Sequence, residues 1–262
     1  MKFITVIVIL LIYKNWWGGN PVRDVVTVDG WFQWIEGMVS ERKMRYVCAV
    51  IVPSLILFWV SIVTADWILG LVYLVLSVVI VLYAIECIDF DGIFDEYRQS
   101  VSSGSQSGED ANQKHDEFCT DVTYAAFQSF APAVFWFLLL GPAGALLYAF
   151  TEQYTERHPA QDDENEEILE QILYWMEWIP ARISGFVFAL LGGFRHGIAA
   201  LAASVTDTGS PVATTLSEVV RGSLQVGQNE DIDEELTELQ WLLEASIWGW
   251  VAFAALLTIL GW

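Results

Sequence analysis

The segment Phe127–Phe150 carries no charged residue. At about 1.5 Å rise per residue, about 20 such residues cross a hydrocarbon core of about 30 Å. The run therefore reads as a membrane helix. In its middle stands Gly141-Pro142-Ala143-Gly144. Helix breakers are tolerated at membrane depth where neighbouring protein satisfies the freed backbone groups. The break thus belongs inside a bundle, facing protein and not lipid. One reading is a kinked, closely packed helix; the sharper one is a binding site at the break. A second apolar run opens farther along, on Trp178-Ile179-Pro180-Ala181-Arg182.

Composition points the same way. The 262 residues are 55% hydrophobic and include 13 tryptophans, with a mean hydropathy of +0.44. Soluble domains lie nearer 45–50% apolar, so the chain reads as a polytopic membrane protein with the lipid bilayer as its surroundings. Lys+Arg is 12 and Asp+Glu is 33, a net charge of −21. Phosphate binding needs clustered cations, so nucleic acid is not an expected partner. The acids lie almost entirely outside the apolar runs and mark water-exposed loops. Three cysteines, Cys48, Cys87 and Cys119, offer neither a disulfide framework nor a zinc pattern by their spacing.

The layout expected is one polytopic domain, 1–262. It is an all-α integral membrane protein with four transmembrane helices, a short N-terminal hydrophobic helix and amphipathic surface helices. Apolar segments fall at about 3–13, 46–63, 67–88, 127–150, 179–203 and 245–262, with polar loops at 89–126, 151–177 and 204–244. The first segment covers only about half a bilayer; Trp16 and Trp17 after it suit the headgroup belt. Trp31, Phe32, Trp34, Ile35 and Met38 recur at helical spacing, as in a helix lying on the membrane surface. Pro53 is expected to kink the helix that follows. Segments 46–63 and 67–88 form a hairpin over Thr64-Ala65-Asp66. Ser100–Gly108 has linker composition. Ile168, Leu169, Ile172, Leu173, Trp175 and Met176 form a helical stripe leading to Trp178. The next segment is broken near Gly192-Gly193.

Alternation places Lys14–Arg45, Asp89–Tyr124 and Arg195–Glu244 on the cytoplasmic side. These segments hold nine of the 12 basic residues, as the positive-inside rule asks. The chain is then a multi-pass protein of the bacterial inner membrane. The same count puts Thr151–Glu177 outside, whereas a re-entrant helix broken at Gly141-Pro142 would return it to the cytoplasmic side, and the charge pattern leaves both open.

Catalytic motifs are absent. There is no P-loop and no serine elbow. Asp89, Asp91, Asp95 and Glu96 miss the EF-hand pattern and read as a solvated acidic face. His115, His158 and His196 lie in different segments, and none is assigned a metal-ligand partner at i+3 or i+4. No metal site is expected. The apolar runs hold no ionisable group at mid-depth, which counts against coupled transport. Arg182 follows Pro180 at what reads as a helix start, where the dipole disfavours a cation. Two readings stand: a snorkelling arginine, or a carboxylate-paired anion site with Glu177 or Glu170 near in sequence.

The two motifs, Phe135-Trp136-Phe137-Leu138 through Gly141-Pro142-Ala143-Gly144-Ala145-Leu146-Leu147-Tyr148, and Trp178-Ile179-Pro180-Ala181-Arg182 followed by Phe188-Ala189-Leu190, resemble the AmpE family. The resemblance implies a non-enzymatic inner-membrane regulatory or sensory protein. Its setting would be β-lactamase induction or cell-wall-recycling signalling, with a recycling amidase or a cell-wall fragment as partner. AmpE is in turn similar to the cobalamin-pathway enzymes CbiB and CobD. That implies an alternative, an ATP- and Mg²⁺-dependent amide ligase on an altered substrate. Those enzymes carry Asn-Thr-Leu-Asp after the tyrosine and Asp-Asp before the second motif. Here Ala149-Phe150-Thr151-Glu152 and Leu173-Tyr174 stand instead. The scaffold is retained and the ligand set is not, so no cofactor and no catalytic residue are expected. The resemblance implies Gly141, Pro142, Gly144, Trp178 and Pro180 as structural residues. Arg182, Glu177, Tyr148 and Glu152 are the candidate ligand-binding residues.

Overall fold

The computed structural model describes residues 5–9, 27–64, 70–102, 109–158, 164–205, 209–224 and 232–259. Among them the regular structure is helical: α1 Asp29–Met38, α2 Arg42–Thr64, α3 Leu71–Ala84, α4 Phe90–Ser102, α5 Glu109–Leu140, α6 Pro142–Arg157, α7 Glu164–Leu191, α8 Phe194–Val205, α9 Val212–Ser223 and α10 Ile232–Ile259. Most of the expected N-terminal segment, the Trp16-Trp17 pair, Ala65-Asp66 and 103–108 lie outside the described residues.

Among the described residues three helical stretches are long and apolar enough to cross a membrane: Arg42–Thr64, Asn112–Leu140 and Ile232–Leu257. Their surroundings differ. The most apolar window is 22% buried in α2 and 28% in α10, but 72% in α5. The first two therefore leave most of their apolar window uncovered by protein, and α5 is enclosed. Of the four spans expected, the criterion of length and hydropathy alone singles out these three stretches. Segment 67–88 contains the 14-residue α3, which rises only about 21 Å. Segment 179–203 is divided between α7 and α8, with the break at Gly192-Gly193 where the sequence places it.

The central run is corrected as well. It is not one interrupted membrane helix but two helices. The span begins earlier, at Asn112, and α5 ends at Leu140. Gly141 has φ 71° and ψ −157°, a backbone region open essentially to glycine alone, and Pro142 opens α6 at its first position, where its missing N–H costs nothing. A methyl group on Gly144 would collide with the Trp136 carbonyl oxygen. Residues eight apart in a straight helix are separated by about 12 Å along the axis, so the chain turns sharply here. The polar segments expected as loops are also largely helical (α4, the end of α6, the start of α7, α9). Their charges sit on solvated faces of helices that bury a narrow apolar stripe, such as Phe90 and Phe94 of α4. Asp89 caps that helix, its Oδ1 accepting the Gly92 N–H at 3.1 Å.

The chain divides into two compact units. Unit 1 comprises 1–87, 132–177 and 254–262; unit 2 comprises 88–131 and 178–253. In unit 1, α6 packs on α2 and α3. Tyr148, Ala145 and Ala149 are fully buried there. Phe32 of α1 meets Phe150 and Tyr154 edge-on, at 5.8 and 5.5 Å between ring centres. In unit 2, α8 and α9 pack together around Leu201, Leu216 and Val219. There Trp250 of α10 donates to the Ser184 hydroxyl at 3.1 Å.

Among the described residues three prolines lie inside helices, Pro53, Pro132 and Pro180, and the same device accommodates the first and the last. Pro53 has no N–H for the carbonyl of Ala49, four residues back. The preceding residues Val47–Ile51 widen into a π-turn, and the indole Nε1 of Trp31 donates to the Ala49 carbonyl at 3.0 Å. Pro180 likewise deprives Met176, whose carbonyl receives Trp136 Nε1 at 3.0 Å. Pro180 is thus not at a helix start, as the sequence suggests, but inside α7.

Candidate functional site

Three of the residues singled out from sequence lie in the interior of unit 1. Tyr148 and Glu152 stand one turn apart on α6, hence on one face, and Glu177 comes from α7. They are 0%, 3% and 2% exposed. The Tyr148 hydroxyl donates to Glu177 Oε1 at 3.0 Å. Burying a carboxylate without such bonds would be costly, so the tyrosine of the first motif holds the acid beside the second.

The fourth, Arg182, lies in unit 2. The Arg182 guanidinium stacks over the Trp178 ring, 4.4 Å from its centre. Its Nη2 donates to the Ser204 carbonyl at 3.1 Å. Ser204 is in the last turn of α8, where carbonyls lack helical donors and the dipole favours a cation. Arg182 therefore caps a helix C-terminus.

A cavity of about 260 Å³ opens elsewhere in unit 1. Arg42, Lys43, Arg45 and Tyr46 line it from the start of α2, Tyr154 and His158 from the end of α6, and Ile168, Leu169 and Ile172 from α7. It lies just below the range of about 300–1,000 Å³ typical of drug-sized ligands, so it suits a headgroup or a small fragment. Arg45 is held by the backbone, its Nε donating to the Val39 carbonyl at 2.6 Å. Tyr46 shares a hydrogen bond with Thr151 Oγ1 at 3.1 Å. The His158 ring stacks on Tyr154 at 4.6 Å, and its Nε2 lies 3.4 Å from Glu36 Oε1. Arg157 fixes the same corner through Asp29 and Glu36. Burial holds the Tyr154 phenol above its ordinary range; Glu36 adds to this, while Arg45, Arg42 and Arg157 oppose it. The phenol stays protonated and can donate. Cations and a donor at one wall, with an aliphatic stripe from α7 at another, suit a ligand that is anionic at one end and apolar at the other.

Sequence reasoning missed this cavity. It used Arg42, Lys43 and Arg45 only to orient the loop, although it found the Ile168–Ile172 stripe that lines the opposite wall. It also missed one ligand spacing. Cys119 stands four residues after His115, and its Sγ lies 3.6 Å from His115 Nε2. The statement that no histidine has a partner at i+4 is corrected accordingly.

No curated protein and no solved structure matches the chain. A family model described as "Regulatory signalling modulator protein AmpE" matches residues 114–262, more than half of the sequence and the part that contains both motifs. On that match, and on the helical membrane architecture that accompanies it, the chain belongs to the AmpE family.

Proposed function

We propose that this protein is a multi-pass regulator in the bacterial inner membrane that modulates β-lactamase induction or cell-wall-recycling signalling. It does so by binding an envelope-derived anionic fragment, with a recycling amidase as a partner in the same response. The fuller membrane layout belongs to this proposal: α3 and the α7–α8 segment enter the bilayer beside the three longer spans, and α1 lies at its surface. The observation that carries the reading is the cavity formed by Arg42, Lys43, Arg45 and Tyr154. It lies at the head of a lipid-facing span, where a cell-wall fragment or headgroup can reach it. A bound anion there contacts α2, α6 and α7 together, so its arrival can bias their packing.

The test is genetic and then chemical. In a strain with inducible β-lactamase, deleting the gene should change the induced enzyme level. A Lys43→Glu variant, present in the membrane at wild-type abundance, should fail to restore it. Unchanged basal and induced levels on deletion would sink the regulatory reading. Full restoration by Lys43→Glu combined with Arg42→Glu would sink the part assigned to the cavity.

A further inference from the structure

Unit 2 contains a second cluster that the regulatory reading does not use. His115 and Cys119 lie one turn apart on α5, so their side chains share a face. Glu235 comes from the first turn of α10. His115 Nε2 lies 3.6 Å from Cys119 Sγ and 3.4 Å from Glu235 Oε2. All three ligand atoms lie within 4.8 Å of one another. Cys119 is 6% exposed, the His115 side chain 14% and the Glu235 side chain 34%. The cluster is thus half enclosed, with its open side toward Glu235.

The distances discriminate between two accounts. A nitrogen–oxygen hydrogen bond lies between about 2.7 and 3.2 Å, so the 3.4 Å approach of His115 to Glu235 is long for one. In a tetrahedral zinc site, bonds of about 2.0–2.3 Å separate nitrogen from oxygen by about 3.4 Å and nitrogen from sulfur by about 3.6 Å. Both measured edges match. The third, from Cys119 Sγ to the carboxylate, is at most 4.8 Å, and Glu235 is the most exposed of the three.

The other nitrogen of the imidazole gives an independent indication. His115 Nδ1 lies 3.2 Å from the Tyr97 hydroxyl. Tyr97 is itself held flat against Phe118, 3.8 Å between ring centres and 6° between planes. A metal-bound histidine almost always offers its second ring N–H to a fixed acceptor, which sets the tautomer and the ring orientation. Tyr97 Oη occupies that position and leaves Nε2 facing the thiol and the carboxylate.

We propose that His115, Cys119 and Glu235 form a three-ligand zinc site, with Tyr97 orienting the histidine and a fourth position open to water or an exogenous ligand. The donor set selects the cation class. One thiolate and one imidazole suit a borderline ion such as Zn²⁺, whereas Ca²⁺ and Mg²⁺ take oxygen ligands. Binding requires the thiol to lose its proton and the histidine to be neutral, so uptake releases protons and strengthens as pH rises. A bound ion ties the first turn of α10 to α5.

The experiment uses the full chain, purified in detergent and freed of metal with a chelator, then titrated with Co²⁺ as a spectroscopic substitute. The expected result is one Co²⁺ per chain, with a thiolate-to-cobalt charge-transfer band and intense visible bands of tetrahedral cobalt, all abolished by Zn²⁺. Cys119→Ser should remove the charge-transfer band, and the double variant Cys48→Ser/Cys87→Ser should keep it. Tyr97→Phe should weaken Zn²⁺ by about 10- to 100-fold while the band persists. The proposal is overturned by a wild-type protein that takes up no Co²⁺ or Zn²⁺ saturably, or by a band that survives Cys119→Ser. The wild-type titration decides alone should a variant fail to fold.

Discussion

The indole Nε1 of Trp136 donates to the carbonyl of Met176 at 3.0 Å, and that carbonyl is the one Pro180 leaves without a helical donor. The segment that carries the first motif is therefore bonded to the stretch of α7 just before the second. The tryptophan of the first supplies what the proline of the second removes. Tyr148 and Glu177 form a second link between the same two segments.

This relationship predicts non-additivity. Trp136→Phe keeps the ring and loses the donor, and should destabilise the folded protein by about 1–3 kcal/mol, the cost of a buried acceptor left unmade. Pro180→Ala restores the helical N–H. In that background the cost of Trp136→Phe should fall by more than half in a double-mutant cycle, measured by thermal unfolding in detergent. Equal costs in both backgrounds would show that Met176 is not the acceptor that matters.

Gly141→Ala should be destabilising by about 1–3 kcal/mol, because the backbone there occupies a region alanine avoids. Gly144→Ala meets the Trp136 carbonyl and should cost as much or prevent insertion of the turn. The amount of monodisperse protein recovered from membranes is a sufficient readout. Wild-type recovery and stability for both variants would mean that α5 and α6 do not meet at this sharp turn.

Tyr148→Phe removes the hydroxyl that serves the buried Glu177 and should cost about 1–3 kcal/mol. Glu177→Gln keeps an acceptor for that hydroxyl, so it should cost less than Glu177→Leu, which removes it. Unfolding midpoints of the three variants give the order directly, and a Leu variant more stable than the Gln variant would contradict the assignment.

Arg182→Lys keeps the positive charge at the end of α8 but loses the planar stacking on Trp178. Arg182→Ala loses both. A cation–π contact adds about 0.5–2 kcal/mol and a cation at a helix C-terminus about 0.3–1 kcal/mol. Stability should fall in the order wild type, Lys, Ala. Hydrogen exchange in 201–205 should rise in the Ala variant, and unchanged protection there would remove Arg182 from its capping role.

Much of the helical content was legible because hydropathy and the 3.6-residue period are local properties. The α2 span, the α7 stripe from Ile168 to Met176, and the break at Gly192-Gly193 all follow from them. So does the need for protein around Gly141-Pro142, since an uncharged run with two breakers has few other resting places. The start of α5 was not legible, because a helix passes from water into an apolar setting without any change in its backbone. His115, Asp116 and Glu117 looked like a loop for that reason alone.

By itself the sequence determined an α-helical membrane class, the acid-rich exterior, the two motifs and, through them, the family. Only the tertiary structure decided that the central run turns at Gly141, that Trp136 completes the helix interrupted by Pro180, and that three cations face an aliphatic stripe across a cavity. It alone brought Glu235 to His115 and Cys119. The physical reason is range. Hydropathy and periodicity fix what each segment does within a few turns. Partners 40 or 120 residues apart, such as Trp136 with Met176 or His115 with Glu235, are chosen by how whole helices pack.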